Sequence, residues 1–339
     1  MCCLESRISN YKKHETSTSN YFMTYSIRHY EAEDEQAVLA LWNQCLPRDE
    51  ISLNTFRRKI ILDPNFDARG CFVATVKPQR GLQKEIVGFL LSIRRRYPYY
   101  DLGLEPGKGW ITAFFVHPQW RRQHVATKLL IEAERFLKQE GTGRIFVSDY
   151  TPNYFIPGVD LDAYAESSLF LKENGYKKVE NVYGMGRSLV DVNVPEEVNN
   201  VIKKLNESGF SVSVFHPSYT LKVLEFLRQN YPGDLFRVAL ERITENPECD
   251  EILVALKGDE VVGFSHFLDE RFGPFGIHKE YNGRGLGPML YYSTVQQMRK
   301  KGKHNLWLAW TSGRAKDFYH KLGLKVLRRH MIMKKNVGE

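Results

Sequence analysis

Apolar positions along the chain follow two rhythms that alternate in a fixed order. Val38, Leu39, Leu41 and Trp42 fall at helical spacing within 31–45, and a second helix is predicted over 53–62. Short apolar runs at 25–30, 71–76, 86–94 and 110–116 have the length and bounding residues of strands. A long amphipathic helix over 125–138 follows, then a strand at 144–148, a helix at 163–173 and a strand from Tyr176. The order then returns. A strand at 211–215 precedes helices at 219–229 and 235–243, and strands at 252–256, 261–268 and 275–278. A long helix over 286–299, a strand at 306–310, a helix at 314–321 and a strand at 325–332 complete the second copy. Such a repeat predicts a duplicated α/β unit.

Length agrees, since 339 residues exceed the size at which one core usually keeps growing. The expected partition is a flexible tail over 1–22, a first domain over 23–190, a linker over 191–209 and a second domain over 210–339. Pro195 is placed to start a connecting helix over 194–205.

The 42% hydrophobic and 26% charged content is that of a folded globular chain. No apolar run approaches the roughly 20 residues needed to cross a bilayer, and residues 1–20 lack the apolar core of a secretory signal. Cys2, Cys3, Cys45, Cys71 and Cys249 are odd in number and scattered, which points to thiols in a reducing compartment, the cytoplasm. The ten histidines form no ligand-spaced cluster, so no metal is expected. A net charge of +8 suits either nucleic acid or a polyphosphate cofactor. The charge is dispersed, which disfavours nucleic acid. Its densest cluster, Arg94, Arg95 and Arg96 beside Tyr97, Tyr99 and Tyr100, reads as a solvated hairpin tip, a wall for an anionic ligand or substrate, or a nucleic-acid contact.

Both long helices begin straight after a strand and a compact turn, where helix N-termini offer free amides. In the second copy the turn is Asn282, Gly283, Arg284, Gly285, Leu286 and Gly287. Alternate glycines let the backbone close around an anion, and Arg284 adds charge at the rim. The same glycines also suit a turn that merely lets a helix pack closely. The spacing is not that of a dinucleotide fingerprint, and no such turn ends in Lys followed by Ser or Thr. The first copy has Val116 to Ala126 in the matching place, with Arg121, Arg122, Gln123, His124 and Val125 and no glycine. An anion site and a retained structural turn both fit that segment.

At these residues the chain resembles the GNAT superfamily of N-acetyltransferases, present as a tandem pair. Residues 277–287 are similar to that family's Gln/Arg-x-x-Gly-x-Gly/Ala turn, with Asn282 in the first position. In the first copy Arg121 and Ala126 fit the pattern and His124 replaces a glycine. The segment 315–324, Ala-Lys-Asp-Phe-Tyr-His-Lys-Leu-Gly-Leu, is similar to a later family helix; its first-copy counterpart, 167–176, has Leu171 where the second has Tyr319. The resemblance covers nearly all of 23–335.

It implies an α/β fold of two tandem GNAT-like domains, each a mixed, mostly antiparallel central sheet flanked by helices. It also implies transfer of an acyl group, acetyl by default, from acetyl-CoA to a primary amine by direct attack, mainly in the second domain. A non-catalytic acyl-CoA-binding protein is the alternative. The implied cofactor contacts are Ile277, Asn282, Gly283, Arg284, Gly285, Leu286 and Gly287, and Val116, Arg121, Arg122, Gln123, His124, Val125 and Ala126. Tyr319 is implied as the acid that protonates the leaving thiolate, with an aromatic packing role as the alternative. Asp269 and Glu270, leaving a strand before Gly273, are candidate bases; His266 reads more readily as a packed histidine, and Cys249 has no sequence-linked base. Backbone donors on the strand ending near Ile277 are placed to polarise the thioester carbonyl. Tyr154, Phe155 and Tyr164 lie in a stretch with no equivalent in the second copy and suit an acceptor pocket, an interdomain seam or a packing loop. The chain is expected as a monomer or homodimer, without nucleic-acid or membrane partners.

Overall fold

A computed structural model describes residues 24–76 and 85–337; the expected tail over 1–22 lies outside them. The first half contains β1 Tyr25–His29, α1 Glu35–Cys45, α2 Leu53–Phe56 prolonged by a π-helical turn over Arg57–Ile61, β2 Cys71–Val76 and β3 Glu85–Ile93. It continues with β4 Lys108–Val116, α3 Val125–Gln139, β5 Arg144–Val147, the short β6 Val159–Asp160, α4 Ala165–Glu173 and β7 Lys177–Ser188. The connecting helix α5 spans Glu196–Glu207. The second half has β8 Phe210–Val214, α6 Thr220–Asn230, α7 Asp234–Glu245, β9 Ile252–Lys257, β10 Glu260–Leu268 and β11 Arg271–Ile277. It closes with α8 Leu286–Lys300, β12 Asn305–Thr311, α9 Gly313–Lys321 and β13 Lys325–Asn336. β11 starts four positions before the predicted strand, because Gly273 and Pro274 interrupt the apolar run that would have revealed it.

The strands form one sheet in the order β1-β2-β3-β4-β5-β13-β7-β12-β11-β10-β9-β8, with β6 beside β13. Pairing within each half is antiparallel except where β4 meets β5 and β11 meets β12. The two halves exchange their last strands: β13 pairs with β5 of the first half, and β7 pairs with β12 of the second. β7 and β13 also pair with each other, which fuses the two sheets. A boundary near residue 190 therefore divides the chain but not the sheet.

Helices cover both faces. α3 packs Val125, Leu129, Ala133 and Leu137 on one face of the first half, and α1 packs Val38, Leu41 and Trp42 on the other. α8 packs Leu286, Leu290 and Val295 on the second half, and α6 and α7 cover its reverse with Val223, Leu227, Phe236 and Ala239. Equivalent glycines let the long helices come close: a Cβ on Gly88 would lie 3.1 Å from Leu129, and one on Gly263 3.3 Å from Leu290.

The arginine cluster lies in the β3–β4 connection, where Arg96, Tyr97 and Tyr100 are exposed as at a solvated tip, while its cations are paired and leave no free anion wall. Arg94 pairs with Glu140 at 2.7 Å, Arg96 with Asp67 at 3.4 Å, and Arg95 is buried against Glu105 at 2.6 Å. The Arg95 guanidinium also lies over the rings of Tyr99, Trp110 and Tyr150.

Candidate active site

In each half two parallel strands diverge just before the turn that starts the long helix. β4 and β5 pair from Lys108 to Ile111 and then separate; β11 and β12 pair only at Arg271 and Trp307. The amide of His117 donates to Val87, and that of His278 to Val262. Alternation along a strand then turns the amides of Phe114 and Phe275 away from β3 and β10, towards the gap. By the same alternation the amides of Val116 and Ile277 also face the gaps, so each gap has two backbone donors available to a carbonyl.

The two turns share one backbone shape. After β11, Gly283 and Gly285 sit at φ +75° and +92°; after β4, Arg122 and His124 sit at +61° and +59°. Glycine takes such angles freely, whereas other residues pay roughly 1 kcal/mol or more, and such outliers concentrate at functional segments. The first helical bond of α8 runs from Met289 to Gly285, leaving the amides of Leu286 and Gly287 ahead of it. Asn282, Gly283 and Arg284 are exposed around them. In the first half the first α3 bond runs from Lys128 to His124, ahead of which lie the amides of Val125 and Ala126. Arg121 turns back to donate to the Val116 carbonyl at 3.2 Å, Gln123 donates to Gln119, and exposed Arg122 stands 3.9 Å from Glu166. Arg121, Arg122, Gln123 and His124 are all exposed to solvent.

Gly285 is constrained twice, because a Cβ there would fall 2.2 Å from Val201 of α5. Combining the left-handed angle with this overlap, Gly285→Ala should destabilise the fold by about 2–4 kcal/mol in denaturant titrations. A change below about 0.5 kcal/mol would mean that α5 does not hold this position.

Tyr319 of α9 is buried among Phe272, Phe275 and Phe318. Burial, followed by the neighbouring Tyr291 and Tyr231, holds its phenol well above the usual range. The structure thus brings Tyr319 to Phe275 at the second-half gap. Asp269 and Glu270 lie in the β10–β11 hairpin, at the end of β11 away from the α8 turn, although Tyr319 also packs on Phe272 near that end. Asp269 pairs with Lys303 at 2.6 Å, which lowers its pKa, and is largely exposed. Glu270 accepts from the Asn305 amide at 2.9 Å and side chain at 3.1 Å. Both carboxylates anchor the start of β12 and do not meet Tyr319.

His266 is buried with Nδ1 3.4 Å from the Gly273 carbonyl, and Cys249 is buried with its thiol near Glu251. Burial lowers the pKa of His266 to about 4 and that of His330 on β13 to about 4. An unfolded histidine titrates near pH 6.5, so the folded state binds fewer protons than the unfolded state below that pH. The stability held above about pH 6.5 is therefore lost as pH falls towards 4, about 2 kcal/mol per histidine by pH 5. Burial raises the Asp149 carboxyl to about 7, which acts in the opposite sense. The histidine share is thus read as a difference: a His266→Leu/His330→Leu variant should lose less stability than the parent between pH 7 and 5.

Two further features carried little sequence signal. The first is a slot of about 70 Å³ at the first-half gap, lined by Thr112, Phe114, Val147, Ser148, Phe155 and Tyr164. Thr112 lies at an irregularity in the β3–β4 register and its hydroxyl is buried without a partner among the described residues. Leu171, the counterpart of Tyr319, is buried in the adjacent core. The second is a cavity of about 320 Å³ at the seam, to which Asp49, Lys59 and Tyr154 contribute from the first half and Asp234, Arg237, Arg271 and Arg328 from the second. Asp49, Phe155 and Ile156 line both spaces. The long first-half stretch thus places Tyr154 at the seam, Tyr164 at the slot and Phe155 at both.

The sequence model of the acetyltransferase (GNAT) family matches residues 27–154 and 220–324. The chain belongs to the GNAT acetyltransferase family. A solved GNAT structure with a similar fold is the GCN5-related glucosamine N-acetyltransferase region of a fungal multi-domain GH3 β-N-acetylglucosaminidase, with TM-score 0.74 and 18% identity. That match covers 92% of this chain and 38% of the fungal one, so this GNAT chain spans well under half of that protein. A GCN5-related N-acetyltransferase from Sphaerobacter thermophilus has TM-score 0.65 and 16% identity over 92% of this chain and 95% of its own. A tandem GNAT protein from the clavulanic acid biosynthesis pathway has TM-score 0.58 and 13% identity, covering 93% and 99% respectively. No curated protein matches the chain. Among the described residues no group of histidine, cysteine and carboxylate side chains is placed to hold a metal, and no helix is long and apolar enough to cross a membrane.

Proposed function

We propose that the protein transfers an acyl group, acetyl in the simplest case, from acyl-coenzyme A to an amine by direct attack. The observation that carries this is the α8 turn, where Gly283 and Gly285 sit at positive φ, Asn282, Gly283 and Arg284 are exposed, and the amides of buried Leu286 and Gly287 precede the first helical bond beside a diverging strand pair. In this assignment the amides of Leu286 and Gly287 and the Arg284 guanidinium bind the cofactor's pyrophosphate, with Asn282, Gly283 and Gly285 shaping the turn and Ile277 ending the strand that leads to it. The cofactor's thioester then lies in the gap, where the Phe275 amide donates to its carbonyl oxygen and stabilises the charge developing there. Tyr319, protonated at neutral pH, delivers a proton to the departing sulfur. Asp269 and Glu270 have no part in this mechanism, and the amine's proton leaves through solvent in the seam cavity. Two substrates held in line supply the rate without an acyl-enzyme.

A second assignment has one observation of its own. The first-half slot opens at the equivalent gap, with the Phe114 amide beside it and an αL turn of Arg121, Arg122, Gln123 and His124 at the head of α3. The first half then binds acyl-coenzyme A as well, without a tyrosine acid at Leu171.

Thiol release from acetyl-coenzyme A in the presence of a mixed amine panel, with product mass as the readout, tests transfer itself. Amine-dependent release that gains 42 Da on one acceptor is the expected result (the mass of an acetyl group replacing a proton, about 42 Da). Tight cofactor binding without release on any amine would favour the non-catalytic binding protein.

A further inference from the structure

Four cations and two carboxylates line the seam cavity. Two of the cations are neutralised within the wall. Arg328 pairs with Asp49 at 2.7 Å and Asp160 at 2.6 Å, and Arg237 with Asp234 at 2.8 Å and Glu241 at 2.6 Å. The other two, Lys59 and Arg271, have no carboxylate within 4.0 Å among the described residues. They arrive from different halves and meet at one residue: Lys59 Nζ donates to the Tyr154 carbonyl at 2.5 Å, and Arg271 Nη2 reaches the Tyr154 hydroxyl at 3.5 Å.

We infer that the acceptor amine carries an anionic group, a carboxylate or a phosphate, and that Lys59 and Arg271 hold it across the seam. This rests on the transfer function proposed above and adds the chemistry of its acceptor. Lys59 is half-buried and Arg271 stands exposed at the rim, so two like charges converge on Tyr154, and a shared anion offsets both at once. Their mutual proximity is felt: burial first, and then the charge of Arg271, lower the Lys59 pKa to about 8. A polycationic acceptor meets repulsion here, since both wall carboxylates are already paired. The position also fits a substrate that bridges. Leu308 and Ala309 of β12 line the cavity towards the second-half gap, and Asp49, Phe155 and Ile156 connect it to the first-half slot. An anion fixed at Tyr154 therefore leaves the amine end of a small acceptor pointing to where a thioester lies in either assignment.

The test uses the full chain and Lys59 as its own reporter. Reductive methylation with peptide mass readout is run at constant ionic strength with inorganic phosphate, N-acetylglycine or uncharged N-acetylglycinamide. Millimolar phosphate or N-acetylglycine should slow labelling of Lys59 by about fivefold or more, N-acetylglycinamide should not, and Arg271→Met should abolish the protection. Protection by phosphate alone assigns a phosphorylated acceptor, and by N-acetylglycine alone a carboxylate. Unchanged labelling with both anions up to about 50 mM, or equal protection by the uncharged amide, overturns the inference. This readout needs no turnover, so failure of acyl transfer itself is seen separately, as absent thiol release.

Discussion

Arg328→Ala should destabilise the protein by about 3 kcal/mol. Arg328 lies on β13, the strand that the second half lends to the first. Its guanidinium donates to both oxygens of Asp49, at 2.7 and 2.9 Å, and to Asp160 at 2.8 Å. The Asp160 side chain is fully shielded from solvent, so removing its cation leaves a buried carboxylate with only the Asp162 and Ala163 amides, each at 2.8 Å. The arginine and the backbone donors together outweigh burial and hold the Asp160 pKa below its ordinary value. Since the folded pKa is the lower one, this contribution is complete above the unfolded value near 4 and disappears only as pH falls below it. Arg328→Ala/Asp160→Asn should recover part of the loss, because the stranded charge goes with its partner. Denaturant midpoints at pH 7 decide the matter; a single-variant loss under 1 kcal/mol would mean that solvent reaches Asp160 freely.

Tyr319→Phe is expected to lower kcat by about a hundredfold while leaving acetyl-coenzyme A binding within about twofold. The substitution removes one oxygen and keeps the ring that packs on Phe272, Phe275 and Phe318. A structural role for that ring survives the change; a proton donor does not. Because burial and the neighbouring Tyr291 and Tyr231 keep the phenol protonated across the neutral range, its loss should not be mimicked by raising pH from 7 to 9 in the parent. Full activity in the variant would move the chemistry to the first half, where Leu171 occupies the matching position and the open slot lies beside Thr112 and Tyr164.

The sequence exposed whatever depends on neighbours along the chain. Helical spacing in 125–138 and 286–299 located both long helices to within a residue or two, because each lays one apolar stripe on the sheet. The glycines of 283–287 were visible as a turn for the same local reason. That Arg122 and His124 adopt the same left-handed angles was not visible, since neither residue type signals it. Strand exchange was also hidden: Lys177–Ser188 and Lys325–Asn336 read as strands, but a period of two says nothing about which neighbour they join. The seam cavity escaped for a related reason. Asp160 and Arg328 are 168 positions apart, and Lys59 and Arg271 share a space only because the halves fuse through β7 and β13. Asp269 and Glu270 looked like bases because they precede Gly273; the hairpin register places them at the far end of β11, already paired.

Calorimetric titration of acetyl-coenzyme A and coenzyme A into the intact chain, repeated with Gly283→Val, tests the central claim most directly. Gly283 is the better probe of the turn than Gly285, because its φ of +75° excludes a β-branched residue while a Cβ there meets nothing within 4 Å. Saturable binding of both ligands is expected, weakened at least about tenfold in the variant, with a cooperative melting transition retained. A second site that survives the substitution would assign cofactor binding to the first-half slot as well. Absence of binding by either ligand at high micromolar concentration would contradict the account and leave a duplicated acetyltransferase fold without its cosubstrate.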